Sequence, residues 1–228
     1  EEGVEALVQT TVNAYWTEQH IYLGFECEES RVERLSITER EKDDSNVWQD
    51  ASIELFLNPS RDRTNYYQLI VNAAGAQSDL RVTSKENGEK VFDWDWDMAA
   101  EAKTKVHEHG WTAELKIPVA ALSDASLQPG TRWVTNFCRS RNLKDVNASQ
   151  NQLYTWSPFL EEGFHELGRV GTVHFVKNKL TSDSLIDNGD FSELDKHGIP
   201  VGWHFPRKPS HRKSVSLDDG YYRSGERS

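Results

Sequence analysis

Residues 46–59, Asn-Val-Trp-Gln-Asp-Ala-Ser-Ile-Glu-Leu-Phe-Leu-Asn-Pro, decide the fold. Within them Ile53, Leu55 and Leu57 alternate with Ser52, Glu54 and Phe56. A period of two sends alternate side chains to opposite faces of a strand. The pair Asn58-Pro59 ends the run, because proline cannot donate to a sheet ladder. Trp48 stands just ahead of the strand, at a loop-to-strand junction.

The same rhythm extends in both directions. Upstream, residues 7–15 alternate, and Ile21, Leu23, Phe25 and Cys27 form an apolar face opposite Tyr22, Gly24 and Glu26. Residues 39–46 are polar and have loop chemistry. Downstream, Tyr67, Leu69 and Val71 oppose Gln68, Ile70 and Asn72, before the turn residues Ala73-Ala74-Gly75. Residues 102–118 predict a hairpin joined near His109-Gly110, followed by a short helical turn. A further strand starts at Trp133, and residues 170–176 close the region. Long helical periodicity is nearly absent. Many short strands separated by turn signals predict an all-β, antiparallel, jelly-roll-like β-sandwich.

Composition narrows the function. The 228 residues carry 26 basic and 37 acidic side chains, a net charge of −11, which argues against a nucleic-acid partner. No apolar run is long enough to form a membrane-spanning helix. Eight Trp, seven Tyr and nine Phe supply bulky core material for one sizeable core. The two cysteines, Cys27 and Cys138, are compatible with a bridge or with buried thiols. The chain opens without an initiator Met and shows no secretory signal, which leaves room for a removed leader.

The sequence divides near Lys177. Residues 1–179 carry the strand pattern; residues 180–228 read as a linker and the incomplete start of a second β domain, too short to build a sandwich alone.

Trp48, Trp94, Trp96, Trp156 and Phe164 are the densest aromatic set with polar neighbours. Sugars stack their C–H faces on flat rings and offer hydroxyls at the rim, so Glu54, Gln68 and Asn72 are fitting hydrogen-bonding partners. The same Trp residues also suit a core. Arg139 and Arg141 are further candidates, because guanidinium forks suit hydroxyl pairs as well as surface ion pairs. In residues 93–98, Asp93, Asp95 and Asp97 alternate with Trp94 and Trp96, which reads as an edge strand with two inward Trp and solvated carboxylates in preference to an acidic, calcium-binding edge. Asp43, Asp44 and Asp50 form an acidic group that could offer calcium several oxygens. Catalytic motifs are lacking: no nucleophile elbow, zinc-protease helix or phosphate loop occurs. Glu54 and Glu114 are the one pair of carboxylates to weigh as acid and base.

The blocks at residues 6–29, 47–59, 66–79, 110–122, 132–141 and 155–175, in that order, resemble the family 9 carbohydrate-binding modules and their wider relatives. The resemblance covers roughly residues 6–176. It implies an antiparallel sandwich and a non-catalytic domain in which two aromatic residues clamp a terminal sugar, helped by acidic and amide side chains, with structural calcium. Carried onto this chain, it implies Trp48 and Phe164 as the clamp and Glu54 and Asn72 at the sugar's edge. Ile70 stands where the family has Arg, a departure from the family's reducing-end hydrogen-bond pattern. The family's usual first strand does not precede Ala6, so the resemblance implies a domain clipped at its N-terminus. Residues 185–205 resemble the opening of a second jelly-roll carbohydrate-binding domain.

The reading is therefore a monomeric module of a secreted bacterial polysaccharide-processing protein, extracellular or periplasmic, with a glycan as partner and neither nucleic acid nor membrane. Two other readings stand beside it. One is a haem-binding electron-transfer sandwich using Met98 and His165. The other is a structural spacer with no ligand.

Overall fold

The computed structural model describes residues 8–144, 152–157, 164, 165, 167, 168 and 170–176. Two antiparallel sheets face each other. The smaller comprises β1 (Thr10–Trp16), β2 (His20–Glu28), β7 (Glu101–His107) and β8 (Gly110–Pro118), in the order β1-β2-β8-β7. The larger holds β3 (Ser52–Asn58), β4 (Tyr66–Asn72), β5 (Gln77–Ser84), β6 (Lys90–Asp93), β9 (Arg132–Arg141) and β10 (Gln152–Thr155), in the order β10-β9-β3-β4-β5-β6. A short β11 (Thr172–His174) adds to β9 beside Arg132–Val134. The all-β antiparallel sandwich expected from the strand pattern is the fold. The linker and second-domain reading for residues 180–228 lies outside the described residues, as does the question of what precedes Val8.

Alternation builds the core. Ile53, Leu55 and Leu57 of β3, Leu69 and Val71 of β4, and Trp133 and Phe137 of β9 point to the smaller sheet. They meet Leu23, Phe25 and Cys27 of β2 and Trp111, Ala113, Leu115 and Ile117 of β8. Fully burying one such Leu stabilises the fold by roughly 1.5–3 kcal/mol. Arg139 also points inward. It is 1 % exposed and donates to the Gln9 carbonyl (3.2 Å), the Thr10 hydroxyl (3.2 Å) and the Glu28 carbonyl (2.9 Å), tying β9 to the β1–β2 hairpin.

Gly110 opens β8 at φ +149°, and a Cβ there would fall 2.1 Å from the Cys27 carbonyl oxygen. Only glycine lets β8 close on β2 at that point. Cys27 lies in the inner core and Cys138 on the opposite face of β9; both are free thiols.

The larger sheet has an outer face, and its residues are the alternate set. Phe56, Tyr66, Leu80, Val82, Val134 and Cys138 form a second apolar cluster there, with Phe164, Leu167 and Val170 packed on it. Arg63, held at φ +61°, donates from Nη1 to the Leu167, Gly168 and Val170 carbonyls, stapling that cover to the β3–β4 loop.

Candidate functional site

The rest of the outer face is polar. Ser52 and Glu54 of β3, Gln68 of β4 and Ser140 of β9 share it, because Glu54 registers with Cys138 and Ser52 with Ser140. Asn142 continues the same alternation beyond the end of β9. Gln68 donates from Nε2 to Glu54 Oε2 at 2.8 Å, and the Ser140 hydroxyl donates to Glu54 Oε1 at 3.4 Å. Glu54 is 6 % exposed, and burial pushes its carboxyl up to about 7 despite those two bonds. Ser52 Oγ, Gln68 Oε1 and Asn142 Oδ1 are buried and have no hydrogen-bond partner among the described residues. Leaving such a group unmade costs about 1–3 kcal/mol, so three on one face need a reason.

Trp48 stands at the end of this face. It sits in the short 3-10 turn Val47–Gln49 that leads into β3. Its carbonyl accepts from Asn142 Nδ2 at 3.1 Å, while Val47 packs beneath with Ile70 and Ala76. The backbone is thus held at both strands while the side chain is free: Trp48 is 53 % exposed. An exposed indole on a fixed turn is a ready stacking surface.

The structure brings Trp48, Glu54 and Gln68 to one face and places the other sequence candidates elsewhere. Asn72 is fully buried and spent: its Nδ2 donates to Thr38 O and Asp50 Oδ2, and its Oδ1 accepts from the Ala74 and Ala76 amides. It shapes the β4–β5 turn. Arg139 and Arg141 share the parity of Phe137, so both point away from Glu54. Arg141 pairs with Glu29 (Nη2 to Oε1, 2.9 Å) and with Gln152 (2.6 Å). Phe164 is 6 % exposed and lies against Phe56 with ring centroids 6.4 Å apart, so its ring is part of the apolar cover. The acid–base pairing of Glu54 with Glu114 fails on geometry. Glu114 lies on the outer face of the smaller sheet, opposite its core neighbours Ala113 and Leu115, and the whole sandwich separates the two.

The donor set of Asp43, Asp44 and Asp50 does not fit a calcium cage. The Arg40 guanidinium lies between two of the three, donating to Asp50 Oδ2 at 2.7 Å and Asp44 Oδ2 at 3.5 Å. Asp50 also accepts from the Thr38 hydroxyl and Asn72, and Asp44 from the Asn46 amide. Asp43 turns through φ +63° and donates its amide to Gln77 O. Among the described residues no three acidic, His or Cys side chains gather as a metal site. The haem pairing separates too: Met98 is in the inner core, whereas His165 lies on the outer face against Phe56 and Tyr66. A hollow of about 320 Å³ between Glu39, Arg40, Lys42 and residues 74–77 has no aromatic wall.

Sequence reasoning missed Ser52, Ser140 and Asn142. The signal was parity: with Phe137 in the core, Asn136, Cys138, Ser140 and Asn142 must face outward and Arg139 and Arg141 inward.

Among solved structures this architecture recurs in sugar-binding sandwiches. A protein of Bacteroides uniformis, assigned to carbohydrate binding by its name alone, aligns at 21 % identity and a TM-score of 0.59, over 74 % of this chain and 78 % of that one. A family 9 carbohydrate-binding module of Caldicellulosiruptor kristjanssonii, in complex with cellotriose, aligns at 14 % identity and a TM-score of 0.52, over 81 % and 84 %. A glucose complex of such a module from the same organism aligns at 15 % identity and 0.50, over 79 % and 84 %. At such identities these likenesses show the fold. The sequence itself goes further: the chain belongs to carbohydrate-binding family 9, whose model matches residues 7–175. No curated protein matches it.

Proposed function

We propose that this domain binds the end of a glycan on the outer face of its larger sheet, as a non-catalytic module of an extracellular polysaccharide-processing protein. Trp48 stacks on the sugar's C–H face; Glu54, Gln68, Ser140 and Asn142 meet its hydroxyls. One observation carries the reading: three buried, unpartnered polar atoms lie on the face that Trp48 borders. Hydroxyls of a sugar are both donors and acceptors and satisfy such a mixed set. The β4–β5 turn built by Asn72 and the cover that includes Phe164 position this surface from either side. The glucose and cellotriose held by the two structural neighbours suggest gluco-oligosaccharides as first probes.

Calorimetry with glucose and cellotriose tests the reading. Trp48→Ala is expected to lose measurable binding with its melting temperature unchanged, since truncating a central anchor costs about 2 kcal/mol of binding. Unaltered binding by Trp48→Ala, or none by the natural protein to a panel of glycans, overturns it.

A further inference from the structure

Beyond the site at Trp48, we propose that Phe92 and Trp94 form a second contact surface on the same sheet, which holds the continuing chain of a glycan whose end sits at Trp48. This rests on the reading above.

The residues 93–98 do not behave as one alternating strand. β6 ends at Asp93, and the chain bends through Trp94 and Asp95. Trp96 then turns to the core and packs on Tyr67, the rings tilted by 33° with centroids 4.8 Å apart. Trp94 does not follow it. It is 53 % exposed, with its ring nearly parallel to that of Phe92 (19°, centroids 6.5 Å apart), which is itself 43 % exposed. Phe92 registers with Val82, a member of the outer apolar cluster, so it stands on the same face of the sheet as Glu54. The His165 and Phe92 rings meet nearly perpendicular, with centroids 6.0 Å apart, and Lys90 donates to the His165 carbonyl at 2.9 Å.

An edge strand is ordinarily blunted with charge, and two adjacent exposed aromatic rings are the opposite device. Two half-exposed rings present on the order of 200 Å². A stable protein partner needs about 800 Å² per side. The patch therefore fits a narrow ligand better than a second copy. Lys90 and Asp95 flank the rings in sequence and balance, while Arg81 and Asp93, paired at 2.6 Å, lie on the opposite face of the sheet with Tyr67. A neutral patch with flat rings suits an uncharged sugar chain rather than a basic or acidic polymer. β6 lies three strands from β3, about 14 Å at the usual strand spacing, and Phe92 is level with Asn58, about 20 Å along the strands from Ser52, so the two surfaces are about 24 Å apart and only an extended chain reaches both.

The test uses the full chain and two probes, glucose and cellohexaose, with calorimetry on the natural protein, Trp94→Ala, Phe92→Ser and Trp94→Tyr. Both truncations are expected to weaken cellohexaose binding about five- to tenfold and leave glucose affinity and melting temperature unchanged. Trp94→Tyr, which keeps a ring, retains most of the cellohexaose affinity. Equal cellohexaose affinity in natural protein and truncations overturns the proposal while leaving the Trp48 site standing. So does an equal loss for both probes, which would put Trp94 in the first site. A dimer in sedimentation that Trp94→Ala dissociates overturns it in favour of a second copy. Failure of the natural protein to bind either probe overturns it together with the reading on which it rests.

Discussion

Gln68 donates a 2.8 Å hydrogen bond to the carboxylate of Glu54 across neighbouring strands, on the side of the sheet turned away from the hydrophobic core. The bond leaves Gln68 Oε1 without a partner and a carboxyl whose buried position raises it to about 7. Gln68→Leu removes one hydrogen bond and one orphaned oxygen together. Its stability is expected to change by less than about 1 kcal/mol, because loss and relief offset each other. Its affinity for glucose should fall at least fivefold, read by calorimetry. Unchanged affinity would remove Gln68 from the site.

Glu114 carries the clearest pH dependence. It is 3 % exposed, both its carboxylate oxygens lack a partner among the described residues, and burial raises it to about 8, opposed in part by Lys103. In the unfolded chain it ionises near 4.5. Between those values the folded state holds a proton that the unfolded state has lost, so stability falls as pH rises through this window. Glu114→Gln cannot ionise. Its melting temperature should match the natural protein near pH 4 and exceed it at pH 8–9, by the equivalent of about 1–3 kcal/mol. A constant difference across pH would refute this account.

Arg139 is a strut between the sheets. Arg139→Leu leaves the Gln9 and Glu28 carbonyls and the Thr10 hydroxyl without this donor, and should destabilise the domain by roughly 2–4 kcal/mol. Glycan affinity of the remaining folded protein should not change. A weakened affinity at full stability would instead place Arg139 at the ligand.

Arg40 supplies the positive charge beside Asp50, whose side chain is 1 % exposed. Arg40→Met strands that carboxylate and should cost about 3–5 kcal/mol in denaturant unfolding. Chelation should leave the melting temperature of the natural protein unchanged, since the guanidinium already fills the space between Asp44 and Asp50. A clear drop with chelator, restored by calcium, would show that a cation binds the domain after all.

Period-two alternation is a local property, set by backbone pleat, and it was legible directly. Ile53, Leu55 and Leu57 mark a core face, Asn58-Pro59 an end, and Gly110 a hairpin turn without any knowledge of what lies across from them. The all-β sandwich, the exposed junction at Trp48 and the candidacy of Glu54 and Gln68 follow from this level. Which face a given strand turns outward is also local, once one of its residues is known to be in the core; Phe137 would have settled Arg139 and Arg141. What a polar side chain does on its face is not local. Asn72, Asp50 and Asp44 look in sequence like free ligating groups, but Thr38, Arg40 and the Ala74 and Ala76 amides use their capacity in three dimensions. Trp94 and Trp96 have nearly identical neighbours in sequence, and only packing sends one ring to Tyr67 and leaves the other in solvent. Hydrogen-bond capacity and ring burial are settled by groups that arrive from distant parts of the chain, and their arrival is decided by the tertiary structure alone.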